Sequence, residues 1–158
     1  MELLHKLERQ HEKLVTLSQD LESALAASEE NKKSLADSHK IFSQLLKKTR
    51  KHLGQVDQIL YPQILLIHNR KLRRNLGRIL TRTGHVRTEV GFLLQSWTLK
   101  NARKRPSVFQ SVGWHFLTIL NMRLTGERKI YAILNRCTIP IPPSVELAAP
   151  GSCPPSDP

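Results

Sequence analysis

The sequence predicts an all-α protein, and three patterns support this class: a heptad repeat, shorter amphipathic segments behind it and a proline-rich end. Through the first 60 residues, apolar side chains recur every seven residues, and a second apolar series follows three residues later. This pattern predicts a coiled-coil helix from the first residues to about Leu60, because Pro62 disfavours helix at the residue before it. The predicted coiled-coil interface consists of Leu7, Leu14, Leu21, Leu35, Phe42, Leu45 and Val56.

The apolar stripe of this helix is wider than the seam of a two-stranded coil. Its flanking positions are also apolar, and they hold Leu25, Leu46, Leu53 and Leu60. Such a stripe suits a bundle of three or more helices, or a helix that folds back on the rest of its own chain. Polar residues at three core layers near the middle, Ser28, Asn31 and Ser38, weaken the seam and can fix its register.

Charge is divided unevenly along the predicted coil. Residues 1–30 hold seven acidic and three basic residues, whereas residues 31–60 hold two acidic and seven basic residues. An antiparallel pair of such helices sets each acidic half against a basic half, so we expect antiparallel pairing if the helix associates with a second copy.

Shorter helices follow in a basic segment that we assign to residues 61–137. Apolar spacing predicts one helix from Ile64 to about Arg82, a second around Val86 to Trp97 and a third that includes Phe109 to Leu120. Thr83-Gly84 and Thr125-Gly126 are predicted to interrupt these helices. Residues 129–137 fit neither a helix nor a strand clearly. Residues 138–158 hold seven of the nine prolines, and this composition predicts a disordered or extended tail.

The basic segment has a candidate site for polyanions. Residues 61–158 carry 15 basic and 4 acidic residues, against 10 and 9 in the first 60. On the first predicted helix of this segment, spacings of three and four place cations on one face: Arg70, Lys71, Arg74, Arg78 and Arg82. Such a row attracts an acidic protein, an anionic membrane surface or nucleic acid, because phosphate contacts need no sequence reading. The alternative is a solvated face that only keeps the protein soluble.

The residues that carry enzyme chemistry lack a recognisable arrangement in the sequence. No two of the seven histidines lie three or four residues apart, and Cys137 and Cys153 do not form a CxxC motif. The chain has no Gly-rich phosphate loop, GxSxG or HExxH motif. We therefore expect no enzyme activity, no cofactor and no metal. The chain has no apolar stretch of membrane-spanning length and no signal-peptide pattern at its start, so we expect a cytoplasmic or nuclear protein.

These observations predict a non-enzymatic coiled-coil scaffold or complex subunit. Its heptad helix would bind a protein partner, either a second copy or another chain, and its basic face would dock on an acidic partner. One alternative is a nucleic-acid-binding protein of the ribonucleoprotein type that dimerises through the coil.

A further alternative follows from the polar centre of the heptad helix. With Asn31 or Gln44 as the polar layer, the segment from Leu3 to Ile59 resembles the membrane-fusion helices of the SNARE family. The resemblance implies a membrane-trafficking helix, here without the C-terminal membrane span that the family pattern includes.

Overall fold

The structure is a computed structural model that describes residues 2–28 and 32–136. Within these ranges the chain forms six helices and no strand, which confirms the all-α class. The helices are α1 Glu2–Ser28, α2 Lys32–Leu65, α3 Arg70–Arg82, α4 His85–Ser96, α5 Leu99–Lys104 and α6 Pro106–Arg136. The predicted tail, residues 138–158, lies outside the described residues, and so do Asn31 and its two preceding residues.

The long N-terminal helix is not continuous, so the prediction of one helix to Leu60 is wrong. The chain instead reverses between α1 and α2, and the two helices pack antiparallel against each other. Ser38 Oγ donates to the carbonyl of Ala24 at 2.9 Å, and Gln10 Nε2 donates to Gln55 Oε1 at 2.6 Å. The acidic first half of the predicted coil and its basic second half are therefore paired within one chain.

The remaining helices complete an up-down-up-down bundle. We call its four helix positions corners, and α1 and α2 occupy the first two. At the third corner, α3 and α4 follow each other, and both pack against α2 and α6. The fourth corner is α6, which runs antiparallel to α1: His11 bonds to the carbonyl of Leu124, and Gln110 donates to Ser28 near the other end. Short α5 links the third corner to α6 and packs against it.

Two apolar clusters fill the bundle, and each draws on residues before and after position 60. The larger cluster lies toward the end of the bundle where α1 ends and α2 begins, and in it Phe42 packs edge-on against both Phe109 and Phe116. The smaller cluster lies at the opposite end and includes Leu7, Val56 and residues of α3 and α6. A wide apolar stripe is needed because each helix faces two neighbours.

Three local expectations for residues 61–136 are corrected by the structure. Helix α2 continues through Pro62 to Leu65, and α3 begins only at Arg70, where Asn69 caps the helix by accepting from the backbone N–H of Leu72. Thr125-Gly126 does not interrupt the chain but lies inside α6, and residues 129–136 belong to that helix too. The helix around Val86 to Trp97 is confirmed as α4.

Two glycines of α6 lie where neighbouring helices approach closely. A Cβ at Gly113 would be 2.8 Å from Leu25 Cδ1 of α1, and a Cβ at Gly126 would be 2.6 Å from Ile79 Cγ2 of α3. Both distances are too short for real carbon atoms, so glycine permits these contacts. The sequence pattern predicts a turn at Thr125-Gly126, whereas in the structure Gly126 is a helical position at which α3 and α6 approach closely. None of the helices in the described part of the chain has both the length and the apolar character of a membrane span.

Candidate functional site

A layer of polar side chains lies between the two apolar clusters of the bundle. Every corner contributes to this central layer, which we define as His11 from α1, His52 from α2, Thr83 at the end of α3, and Arg123, Glu127 and Tyr131 from α6. All six side chains are buried. Buried polar groups are usually hydrogen-bonded, so the contacts of this layer determine what it can do.

Glu127 is the centre of the layer and is fully buried. Its Oε1 accepts from Arg123 Nε at 2.5 Å, and its Oε2 accepts from His52 Nε2 at 2.7 Å. Tyr131 adds a weak contact, with its hydroxyl 3.5 Å from the same Oε2. Both carboxylate oxygens are thus occupied by donors from the protein itself.

Arg123 is 3% exposed and lies one helical turn before Glu127. Besides its bond to Glu127, it donates from Nη1 to the Leu80 carbonyl at 3.1 Å and to Thr83 Oγ1 at 3.2 Å. The guanidinium therefore joins α6 to the end of α3. Because a guanidinium stays protonated in proteins, this places a permanent positive charge in the bundle core.

The two histidines of the layer come from different helices and have different partners. His52 Nε2 lies 2.7 Å from Glu127 Oε2, and His52 Nδ1 lies 3.3 Å from Gln10 Oε1. Both ring nitrogens therefore face acceptors. His11 donates from Nε2 to the Leu124 carbonyl at 2.8 Å, and its ring packs edge-on against Tyr131. A backbone carbonyl only accepts, so the contact fixes a proton on this nitrogen of His11.

Electrostatics of the layer favour the ionised form of Glu127. Burial alone raises the pKa of this carboxyl, but the hydrogen bond and charge of His52, together with the charge of Arg123, bring the pKa below its usual value of 4.5. For Tyr131, burial and the nearby Glu127 charge raise the pKa of the phenol far above its usual value. The layer thus holds a carboxylate and a neutral phenol.

The coiled-coil positions predicted from the heptads are all core residues of the chain's own bundle. Leu7, Leu14, Leu21, Leu35, Phe42, Leu45 and Val56 are all buried in the structure. Their apolar seams are covered by α4, by α6 and by the partner helix of the hairpin. The pattern identified buried positions, but the surface that covers them belongs to the same chain.

The predicted polyanion-binding residues lie together on α3. Arg70, Lys71, Arg74, Arg78 and Arg82 are all exposed, while Leu76 and Leu80 on the opposite face enter the core. The structure therefore presents a continuous basic face. Binding of a polyanion to that face stays a prediction.

The central layer was missed by sequence reasoning, although the sequence contains one signal for it. Along α6, the apolar series through Leu120, Leu124, Ile130 and Leu134 includes Arg123 and Glu127 at core positions, four residues apart. Charged residues in such a stripe indicate a buried ion pair. The predicted turn at Thr125-Gly126 separated the two residues and hid this signal.

Comparison with known proteins identifies the bundle. Residues 2–98, more than half of the chain, match the family described as "Hemerythrin HHE cation binding domain". The chain belongs to this family. No curated protein and no solved structure matched the chain. Family membership corrects the functional prediction: the coiled-coil scaffold is wrong, and with it the ribonucleoprotein and SNARE-like alternatives, because the heptads belong to a hemerythrin-type bundle.

The residues of the central layer do not fit a bound cation. Metal sites of helical bundles are built in the core from side chains of facing helices, and in this chain the central layer occupies that place. Over residues 2–28 and 32–136, no three His, Cys, Asp or Glu side chains are grouped closely enough to hold a metal ion. The carboxylate of Glu127 is bound to Arg123 and His52, and Arg123 adds a positive charge beside it. The family match ends before α6, the helix that supplies Arg123 and Glu127.

Proposed function

We propose that this protein is a metal-independent, non-enzymatic member of the hemerythrin HHE family, in which an arginine supplies the positive charge at the centre of the bundle. The observation that carries this proposal is the bond between Arg123 and Glu127, with His52 on the second carboxylate oxygen. The guanidinium neutralises the buried carboxylate, which is the electrostatic role that a bound cation would otherwise have.

Charge repulsion supports this assignment. A divalent cation about 4 Å from the Arg123 guanidinium would be repelled by roughly 8 kcal/mol at an effective dielectric constant of about 20. Binding of structural zinc releases about 10 to 16 kcal/mol, so repulsion of this size removes a large part of the available affinity. Metal binding would also require Glu127 to leave Arg123 and His52. The N–H donors of these two buried side chains would then have no acceptor, which is costly.

The absence of enzyme activity is proposed from the same contacts. A general acid, base or nucleophile needs an atom within hydrogen-bond reach of a substrate. Both oxygens of Glu127 and both nitrogens of His52 instead bond to neighbouring side chains inside the bundle. The central layer is thus assigned a structural role, in which it fixes the register of the four corners.

Metal titration of the purified protein tests this proposal. Zn²⁺, Mn²⁺ and, without oxygen, Fe²⁺ are added separately to chelator-treated protein, and the melting temperature and the heat of binding are followed. We expect no stoichiometric binding and no metal-dependent rise in the melting temperature. Saturable binding of one or two ions per chain that is lost in His52→Ala, but kept in a variant of the exposed His85, would refute metal independence.

The Arg123→His variant is the matched gain-of-function control. It removes the fixed charge and places an imidazole four residues before Glu127, on the same helix face and near His52. Imidazole and carboxylate are the usual ligands of first-row transition metals. We expect this variant to bind Zn²⁺, with about 2.7 kcal/mol of added stability at a free concentration of 100 times Kd. Equal responses of both proteins to the metal would show that Arg123 does not control binding.

A further inference from the structure

We propose that the cavity beside Arg123 is a binding site for a small carboxylate with an apolar body. This site shares Arg123 and Thr83 with the central layer, but its lining does not include the other four residues of that layer. It is a cavity of about 250 Å³ between α2, the junction of α3 and α4, and α6.

The buried arginine is the first observation that points to a ligand. Arg123 lines the cavity, and it bonds through Nε and Nη1 to Glu127, Leu80 and Thr83. Within the described part of the chain Nη2 makes no hydrogen bond, and it stays open to solvent although the side chain as a whole is only 4% exposed. An N–H donor that is open to solvent on an otherwise buried guanidinium is available to an acceptor that enters the cavity.

The chemistry of that acceptor follows from the guanidinium and from the mouth of the cavity. A guanidinium binds carboxylates through short, charge-assisted hydrogen bonds. A second arginine, Arg87, lies at the mouth and is paired with Asp57, and both of these side chains are largely exposed. An incoming carboxylate meets two arginines and one acid, Asp57, in the cavity wall, so the charged groups of the lining sum to one positive charge.

The rest of the cavity wall selects the body of the ligand. Leu53, Leu80 and Tyr61 contribute apolar surface to the cavity wall. A closed apolar cavity of about 150 Å³ is large enough for benzene, so a cavity of about 250 Å³ can hold a single ring that carries a carboxylate. Larger ligands such as nucleotides exceed this volume.

Titration with benzoate tests the site, with benzamide as the uncharged ligand of the same shape. Both are titrated into the full chain with a chelator present, and binding is followed by amide chemical shifts and calorimetry. We expect saturable benzoate binding with the largest shifts near Thr83 and Gly84, and at least tenfold weaker binding of benzamide. The chelator excludes an anion held by a metal, so failure of this proposal is separate from failure of metal independence.

Three exposed residues of the cavity wall supply variants that leave the core intact. Asp57→Asn removes the acid that competes for Arg87, and we expect it to tighten benzoate binding roughly two- to fivefold. Arg87→Gln should weaken binding by a similar factor, and Thr81→Trp should abolish it by filling the mouth of the cavity. Arg103→Gln, on α5 and away from the cavity, should change nothing.

Three results would overturn the carboxylate site. The first is the absence of saturable benzoate binding, which would mean that water alone satisfies Nη2. The second is equal affinity for benzoate and benzamide. The third is unchanged benzoate affinity in the Asp57, Arg87 and Thr81 variants, all of which line the cavity.

Discussion

The ion pair between Arg123 and Glu127 should dominate the stability of the bundle in a way that single and double substitutions reveal. Arg123→Met leaves the buried Glu127 carboxylate with His52 alone, and Glu127→Leu leaves a buried guanidinium without a counter-ion. Removal of one partner of a buried pair costs about 3 to 5 kcal/mol. For a chain of this length that loss lowers the melting temperature by roughly 6 to 20 °C. Urea unfolding followed by circular dichroism measures the free energy directly.

The double substitution Arg123→Met with Glu127→Leu removes both charges at once. Apolar replacement of a whole buried pair is often neutral or stabilising, although His52 loses a partner here. We therefore expect the double variant to be more stable than the sum of the single losses by at least about 2 kcal/mol. The exposed pair Arg87–Asp57 is the matched control, because such surface pairs contribute about 0 to 1 kcal/mol. Equal losses for Arg123→Met and Arg87→Met, or additive single losses, would refute the reasoning.

Three further predictions follow from the structure. The pKa of Glu127 is lowered in the folded state, so its contribution to stability is present above about pH 4.5 and is lost as the pH falls below it. In Glu127→Gln the free energy of unfolding should therefore depend less on pH in this range. An unchanged slope would contradict an ionised Glu127 in the folded protein. Gly113→Ala should destabilise the protein by about 1 to 2 kcal/mol, because the new Cβ meets Leu25. Gly91→Ala, whose Cβ would have nothing within 4 Å, should stabilise the protein by about 0.5 to 1 kcal/mol. Changes of the same sign in the free energy of urea unfolding would argue against close packing of α1 and α6. Thr49→Val removes a buried hydroxyl that has no hydrogen-bond partner in the described structure, and it should raise stability by about 1 kcal/mol; a loss in thermal unfolding would indicate a bonded hydroxyl.

The sequence predicts burial in this protein better than it predicts connectivity. The heptads correctly mark Leu14, Phe42 and Val56 as core positions, since periodicity reports which face of a helix is apolar. The same pattern continues from α1 into α2, so it does not show where the first helix ends. Neither glycine nor proline stands between the two helices: residues 28–32 read Ser, Glu, Glu, Asn and Lys.

The candidate site was less accessible to sequence reasoning because its residues are distant along the chain. A search for histidines three or four residues apart tests only one helix at a time. His11 and His52 enter the same layer from two helices, and His52 and Glu127 are 75 residues apart. Only the local pair of Arg123 and Glu127 was visible in the sequence, and the expected turn between them obscured it.

The metal content of the protein as isolated tests the central claim most directly. The full chain is expressed in medium supplemented with iron, manganese and zinc, purified without a chelator or an affinity tag that binds metal, and analysed by mass spectrometry of its elements. Arg123→His, prepared in parallel, shows whether a competent site would be loaded under these conditions. If Arg123 supplies the central charge, the wild-type protein contains far less than one metal ion per chain, while the variant retains metal. One or two equivalents of metal in the wild-type protein, lost on substitution of His52 or Glu127, would contradict the account.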